Sequence, residues 1–401
     1  MKNVYLLPYF LIGFSYTFLL YNKIFFGVSL ILGIITLFFL NKESIKLRFK
    51  FEDNLINIFF FLTIFFFLIS STISIKPERS ILVTIYLVLF IVLSLNLFHV
   101  LLTKKTNYEK FINIFTISTI LNILIIFVYN IYESGLLTGD LEILGIKKYK
   151  GLLNIFSILA VVLFFFKKSK LFLIPLILII PSLYLSNSSA PILGMLVGTF
   201  ALIIFKMVKR LNFNKILLFS FALFIPIIAS LFIKELPKNF DQNSINNYNF
   251  KIPISVIDAH RQFIWGFSLS KFHEKPIFGY GPDTSNFIED GQRVIGSQFT
   301  GTMKFIPSHP HNFLIELILE TGLLGTLSFI MFIIVLNYKI FLKANTKERG
   351  FLIFFNGYFW GASLVNFSFW QAWWQCSYFF LLSLIASKII KFSIEQRNET
   401  F

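Results

Sequence analysis

Long apolar runs separated by short polar segments constrain this chain more than any other feature. A helix needs about 20 apolar residues to cross the roughly 30 Å hydrocarbon core of a bilayer, and twelve runs approach or exceed that length. They cover residues 4–20, 24–41, 55–74, 81–103, 111–131, 152–166, 171–186, 190–205, 216–233, 312–337, 351–369 and 372–390. Charged residues make up only 14% of the chain, against about 25% in soluble domains. The sequence therefore predicts an all-α polytopic membrane protein with about 12 transmembrane helices, and excludes a soluble enzyme.

The basic residues predict which side of the membrane each loop faces, because Lys and Arg concentrate in cytoplasmic loops. If the N-terminus is inside, the predicted cytoplasmic segments hold 22 of the 36 basic residues and the short outer loops hold six. Both termini are therefore predicted to be cytoplasmic. The net charge of +16 follows from this distribution and from attraction to anionic membrane lipid, so no nucleic-acid partner is predicted.

Polar residues concentrate in one long outer loop between spans nine and ten. Residues 1–233 contain the first nine spans, 234–311 form the loop, and 312–401 hold the last three spans and a cytoplasmic tail. Loops of this length in a compact protein are usually functional. Four of the five histidines lie in this loop: His260, His273, His309 and His311.

An amphipathic helix is predicted inside the loop. Apolar residues recur there at helical spacing, at Ile257, Ile264, Trp265, Leu269 and Phe272. Such a helix is expected to lie on the outer membrane surface, with Arg261 on or beside its apolar face. Two simpler roles for Arg261 stay open, since it can snorkel from an interfacial helix or pair with Asp258 one turn earlier.

The sharpest polar cluster lies at the end of the loop and the start of span ten. His311 and Asn312 stand where the loop becomes a helix, and Glu316 and Glu320 share one face of that helix. Charged groups at membrane depth are costly and usually face a bundle interior or a water-filled cavity. The cluster predicts a site at the outer boundary of the membrane. In the alternative interpretation His311 and Asn312 cap the helix, and the two carboxylates only hold helices together.

These features together resemble the O-antigen ligase superfamily, which also includes O-antigen polymerases. About twelve spans with one large periplasmic loop before span ten match its layout. The stretch from Arg261 to Pro282, with Arg-x-x-x-Trp and Pro-x-x-Gly-x-Gly-Pro, is similar to its loop signature. The most specific match is a His-Asn pair followed after nine residues by Gly-x-x-Gly-Thr, a spacing that resembles the ligases more than polymerases generally. Its residues here are His311, Asn312, Gly322, Gly325 and Thr326.

The resemblance implies a metal-independent, inverting glycosyltransferase of the bacterial inner membrane with its active site facing the periplasm. Such ligases move a glycan from undecaprenyl pyrophosphate to the lipid A-core oligosaccharide. The catalytic base maps to His311 and one pyrophosphate-binding residue to Arg261. Possible supporting residues are His309, Asn312, Glu316 and Arg293.

The chain also departs from the family pattern. The family usually has a second Arg at the outer start of span eight, where this chain has Ser186-Asn187-Ser188-Ser189-Ala190. Another cation could replace it, and the candidates are Lys147, Lys148, Lys150, Arg293 and Lys304. This gap keeps open a polymerase that extends a carrier-linked chain. A transporter or flippase for lipid-linked sugars is the more distant alternative, because flippases carry ionisable residues in several spans.

No cofactor and no metal site is predicted from the sequence. The single cysteine, Cys376, excludes an intrachain disulfide and a Cys-based metal site, and there is no Gly-rich phosphate loop. The turn at Glu289-Asp290-Gly291 is interpreted as solvated rather than metal-binding. Trp360, Trp370, Trp373 and Trp374 surround the last outer turn, and are interpreted as an interfacial aromatic belt, with a sugar-stacking platform as the alternative.

Overall fold

A computed structural model gives the architecture of the chain. It describes residues 6–40, 48–103, 105–139, 146–167, 173–210, 235–365 and 367–398. Within these residues the protein is all-helical, and the only β-type pairing is an isolated antiparallel bridge between Val294 and Lys304. The predicted fold class is confirmed at this level.

Fourteen α-helices are found in the described residues. They are α1 Leu7–Gly13, α2 Ser15–Tyr21, α3 Lys23–Leu40, α4 Asn54–Thr72, α5 Pro77–Thr103, α6 Lys105–Glu133, α7 Leu152–Lys167, α8 Leu173–Leu185, α9 Ser189–Arg210, α10 Gln242–Asn246, α11 Ala259–Phe272, α12 Phe313–Lys343, α13 Thr346–Ser363 and α14 Ala372–Asn398. A short 3₁₀ turn covers Ser285–Phe287.

Seven helices in the described part of the chain are long and apolar enough to cross a membrane. They lie within α3, α4, α5, α6, α9, α12 and α14. The predicted first run instead forms α1 and α2, each only seven residues long, and α7 and α8 are apolar but shorter than a membrane span. The predicted ninth span, 216–233, falls outside the described residues. The protein is therefore multi-pass, and the count of twelve stays a prediction.

Two pairs of glycines allow α9 and α13 to pack closely. Gly194 and Gly198 on α9 face Gly357 and Gly361 on α13, and both pairs have the three-residue gap of a small-residue packing motif. A Cβ atom on Gly198 would lie 2.8 Å from the carbonyl oxygen of Phe354. The two backbones therefore approach to a distance that a larger residue would prevent.

A buried polar triangle links the last three long helices. Asn337 of α12 donates to the Tyr378 hydroxyl of α14 at 2.8 Å, Tyr378 donates to Asn356 of α13 at 2.8 Å, and Asn356 donates back to Asn337 at 2.9 Å. Polar side chains that bond across helices help to hold membrane bundles together. This network fixes the bundle below the outer loop.

Candidate active site

The outer loop is a folded unit built around α11. Phe263 and Phe267 of this helix belong to one apolar cluster, and Ile264 and Trp265 belong to another. The predicted helix is confirmed, with Asp258 as its N-cap. Its position on the membrane surface stays a prediction, and in the structure protein covers every residue from Gln262 to Ser268. Two apolar faces, rather than one stripe, bury the helix inside the loop.

The loop is joined to α12 at a break in that helix. Gly322 leaves the helical conformation, with φ 65° and ψ −172°. The amide groups after the break donate to the loop: Leu323 N to Pro276 O at 2.9 Å, and Leu324 N to Ile277 O at 3.3 Å. Backbone groups freed by a helix break must find partners where water is excluded. Here the loop supplies them.

The segment from Gly279 to Gly281 pairs with the other side of the break. Tyr280 N donates to Leu319 O at 3.1 Å, and Gly281 N donates to Glu320 O at 2.7 Å. A Cβ atom on Gly322 would lie 2.2 Å from Ile277 O, and one on Gly279 would lie 2.4 Å from the carbonyl carbon of Glu320. The glycines of the loop signature and of the span-ten signature are therefore required by the same contact.

Glu320 anchors the loop to α12. Its buried carboxylate accepts hydrogen bonds from three successive amides, those of Asp283 (2.7 Å), Thr284 (3.1 Å) and Ser285 (2.7 Å). The indole of Trp370 donates to the same carboxylate. Glu320 thus holds the turn after the Gly-x-Gly-Pro stretch and the connection between α13 and α14.

Glu316 makes a second anchor one turn earlier. Its two oxygens accept from the Ser368 hydroxyl and from Phe369 N, both at 2.6 Å, and the residue is fully buried. Both oxygens are therefore directed to the α13–α14 connection. These contacts match the alternative in which the carboxylates hold helices together.

His311 lies in a strained conformation at the junction between the loop and α12. Its φ is 58°, in the left-handed region that non-glycine residues rarely adopt, and such strain clusters at functional sites. Its backbone amide donates to His309 Nδ1 at 3.1 Å, and the two imidazole rings are 4.0 Å apart. The His311 ring is half-buried, whereas His309 is buried. The two predicted histidines are thus brought together.

His309 is held neutral. Burial, which is the larger cause, and the nearby His311 together lower its pKa to about 3. Because Nδ1 accepts the His311 amide hydrogen, the proton of the neutral ring is assigned to Nε2. His309 therefore fixes the backbone of its neighbour and adds no charge beside it.

Asn312 and Trp265 fix the surroundings of His311. The Asn312 side chain accepts from Leu314 N at 3.0 Å and Ile315 N at 3.2 Å, so it is the N-cap of α12, as the simpler interpretation predicts. Trp265 Nε1 donates to Pro310 O at 2.8 Å. The residue before His311 is thus tied to α11.

Arg261 stands on the first turn of α11. Its guanidinium lies 3.3 Å from Asp258, and the two side chains are 32% and 51% exposed, so the predicted pairing is confirmed. Exposed pairs of this kind contribute about 0–1 kcal/mol, and Arg261 can exchange this partner for another anion. Since Arg261 and Trp265 are four residues apart, they share a helix face, which directs Arg261 toward the same side of α11 as Pro310.

Arg293 and Lys304, two of the candidate cations, make contacts inside the loop. Arg293 donates to Phe240 O at 2.7 Å and lies over the Phe305 ring at 5.1 Å. Lys304 donates to Gln292 at 2.9 Å, and His260 bonds to the Lys304 carbonyl at 2.9 Å. These contacts stabilise the fold of the loop.

The turn with Lys147, Lys148 and Lys150 lies against the start of α9. The Ser188 hydroxyl donates to Lys150 O at 3.3 Å, and the three lysines are exposed. The segment Ser186–Ala190 lacks a basic residue, but it contacts the backbone of Lys150 in the α6–α7 connection.

Arg79 and Asp283 form an ion pair that sequence reasoning missed. Arg79 Nε donates to Asp283 at 2.7 Å, and Arg79 and Lys76 lie over the Phe287 ring at 5.3 and 5.5 Å. Burial raises the pKa of Asp283, and the Arg79 guanidinium opposes that shift. The only sequence signal for this ion pair was two basic residues in a short predicted outer turn. They entered the sequence analysis only in the count of loop charges.

The four tryptophans at the last outer turn are covered by protein. Trp360, Trp370, Trp373 and Trp374 are 7%, 5%, 4% and 2% exposed. An interfacial belt or an open sugar-stacking platform would expose these side chains, so neither interpretation matches the burial of the four tryptophans. Within the described ranges, no group of three His, Cys, Asp or Glu residues has a metal-binding arrangement.

Comparison with known proteins identifies relatives of this chain. The family described as O-antigen ligase matches residues 174–330, which include the loop, His311 and the break in α12. Proteins named "Putative polysaccharide ligase" are similar to it in Rickettsia prowazekii (29% identity over 216 residues, 52% of this chain and 50% of the relative), Rickettsia conorii (30% over 218 residues, 52% and 49%) and Rickettsia bellii (28% over 338 residues, 79% and 76%). The chain spans about half the length of the first two relatives.

Proposed function

The chain belongs to the O-antigen ligase superfamily, and from that premise we propose that it is a polysaccharide ligase acting at the periplasmic face of the bacterial inner membrane. Its donor would be a glycan on undecaprenyl pyrophosphate and its acceptor the lipid A-core. The observation that carries the proposal is His311, a half-buried imidazole on strained backbone where the folded loop meets α12.

In this mechanism His311 is the general base. It takes the proton of the acceptor hydroxyl as that oxygen attacks the anomeric carbon from the face opposite the pyrophosphate. The bond from the anomeric carbon to the pyrophosphate oxygen breaks, the lipid pyrophosphate leaves with the electron pair, and the configuration inverts. A neutral imidazole can accept this proton at its unprotonated ring nitrogen.

Cationic side chains would stabilise the departing pyrophosphate. Arg261 supplies a planar fork that binds phosphate oxygens in a bidentate manner, and its exposed partner Asp258 competes only weakly. The lysine turn 147–150 is the best-placed substitute for the missing second Arg, because it contacts Ser188. The donor is already activated as a diphosphate ester, so the mechanism needs neither metal nor cofactor.

A polymerase is the second candidate, and the absence of a basic residue in Ser186–Ala190 is what favours it. It would use the same donor chemistry but a carrier-linked glycan as acceptor. A flippase is disfavoured by Glu316 and Glu320, since both bind the loop and the α13–α14 connection rather than a central cavity.

A reconstituted assay tests the proposal. Purified protein, carrier-linked glycan and lipid A-core are combined with a metal chelator, and the glycolipids are separated by size. Glycan on lipid A-core is the expected result. A ladder of longer carrier-linked chains with unchanged lipid A-core would make the protein a polymerase. No transfer to either acceptor would overturn the enzymatic proposal.

A further inference from the structure

A cavity of about 170 Å³ lies between α4, α5, α12 and α14. It borders Lys339 and Lys343 near the end of α12, whereas His311 precedes the start of that helix. At about 1.5 Å per helical residue, Lys339 and His311 are separated by roughly 40 Å. The cavity is therefore remote from the proposed active site, on the side predicted to be cytoplasmic.

The walls of the cavity are mostly apolar, and Ser94, His99 and Ser383 are their polar members. Ile91, Leu95, Phe379 and Leu382 line it from α5 and α14, and α4 and α12 contribute further aliphatic side chains. An apolar cavity of about 150 Å³ is enough to bind benzene and stays dry without a ligand. The interior thus has room for about six carbon atoms of a hydrocarbon chain.

The rim of the cavity is charged, and most of its charges are already paired. Arg48 contacts the rim residue Glu52 at 2.6 Å, and Lys339 contacts Asp53 at 2.5 Å. These two hydrogen bonds are the largest causes that lower the pKa of the Glu52 and Asp53 carboxyl groups. Both acids are therefore ionised, and each has a basic partner.

Lys343 is the third basic residue near this rim, and its charge also helps to lower the pKa of the Glu52 carboxyl group. It is exposed, lines the cavity, and has no ion pair with the residues that the structure describes. An anion at Lys343 would therefore sit at the surface, directly outside an apolar interior.

We propose that this cavity binds an anionic phospholipid, with its phosphate at Lys343 and part of one acyl chain between the apolar walls. Charge complementarity selects the headgroup, and the mostly apolar interior selects a hydrocarbon tail. Basic pockets between transmembrane helices on the cytoplasmic side are general binding sites for such headgroups. The site goes beyond the proposed ligase activity, since it lies at the other end of α12.

Lipid binding to the purified full chain tests this site. In native mass spectrometry, phosphatidylglycerol is expected to bind more tightly than phosphatidylcholine with the same acyl chains. Lys343→Gln is expected to weaken phosphatidylglycerol binding about fivefold, from roughly 1 kcal/mol for one basic residue near a lipid phosphate, and to leave phosphatidylcholine binding unchanged. Lys50→Gln is the matched control, because Lys50 is exposed nearby but does not line the cavity.

A filled cavity provides the second test. Ala386→Leu is expected to abolish binding of the acyl chain and therefore the preference for phosphatidylglycerol, with Ser94→Leu as an independent variant on the facing helix. Helix content and gel-filtration profile must match the wild type. Equal binding of the two lipids by wild type, an unchanged Lys343→Gln variant, or full binding by both filled variants would overturn the proposal. Competition by inorganic phosphate as strong as by the lipid would show a simple phosphate site and would also overturn it.

Discussion

The histidine pair and the carboxylate pair are neighbours in sequence, and the protein uses them in opposite ways. Glu316 and Glu320 are fully buried, and each carboxylate accepts at least two hydrogen bonds. His309 and His311 lie on the loop, where a neutral buried ring supports a half-buried ring on strained backbone. A polar pair whose acceptors are occupied by backbone amides stabilises structure, whereas a strained and accessible imidazole is suited to chemistry. Substitution of a carboxylate should therefore mainly lower stability, and substitution of His311 should mainly lower activity.

The largest effect is expected for His311→Ala. Loss of a general base should reduce glycan transfer by about 10²–10⁴-fold, while thermal stability should change much less, because the His311 ring is only half-buried. The reconstituted transfer assay and a thermal melt measure the two quantities. His273→Ala is the control, since His273 is exposed in the same loop. Near-normal transfer by His311→Ala would remove the base assignment.

Glu320→Ala should show the opposite pattern. It leaves three amides and the Trp370 indole without their acceptor, and each buried unpaired donor costs about 1–3 kcal/mol. We expect a loss of at least about 3 kcal/mol in unfolding free energy, measured by denaturation in detergent, with a much smaller loss of transfer per folded molecule. Glu289→Ala, an exposed acid of the loop, should be neutral. A stable but inactive Glu320→Ala would place this residue in the chemistry instead.

Gly322→Ala tests the break on which the carboxylate anchor depends. The residue occupies a backbone region that is nearly restricted to glycine, at a cost of about 1–3 kcal/mol for other residues, and its Cβ would clash with Ile277 O. Gly301→Ala separates the two causes, because Gly301 also has positive φ but open space around its Cβ position. Equal destabilisation of the two variants would mean that the loop does not need this close approach.

Arg261→Ala should act on the donor. Loss of a charge-assisted hydrogen bond of about 1.5–3 kcal/mol predicts a roughly tenfold to hundredfold rise in KM for the carrier-linked glycan, with stability nearly unchanged. Arg261→Lys should restore part of the affinity, and Arg293→Ala should not affect the donor KM. If kcat falls while KM is constant, Arg261 does not bind the ground-state pyrophosphate.

The smallest effect at neutral pH concerns His309. Its folded pKa of about 3 is below the ordinary value of about 6.5, so the unfolded chain binds more protons between these values. Stability is therefore fully present above pH 6.5 and decreases as the pH falls toward 3. Thermal melts at pH 7.5 and 4.5 should show a smaller difference for His309→Gln than for wild type or His273→Gln. An unchanged pH dependence would contradict the neutral buried imidazole.

Local patterns predicted several helices closely. Predicted spans 55–74 and 312–337 correspond to Asn54–Thr72 and Phe313–Lys343, because length and apolar composition decide these elements. The loop helix and the pairing of Arg261 with Asp258 could also be predicted, because both depend on residues that are close in sequence. The division of the first run at Phe14 had no sequence signal comparable to a proline.

Long-range pairing explains what the sequence could not provide. Gly322 was identified from the sequence as a residue of the family signature, and not as a break that receives the loop. The partners of Glu320 lie 35–37 residues away in the loop, and Trp370 lies 50 away. Such contacts depend on tertiary structure, which a periodicity argument does not contain.

The break at Gly322 also sets an order of assembly. Residues 323–343 form about six turns of helix, and 20 residues are roughly sufficient to cross the hydrocarbon core on their own. The preceding turns of α12 carry Glu316 and Glu320, and their partners lie in the loop and in the α13–α14 connection, so these contacts form only after those segments have folded. Insertion of the part of α12 after Gly322 can thus precede completion of the part before it, and we expect the strained geometry of His311 to form after that insertion.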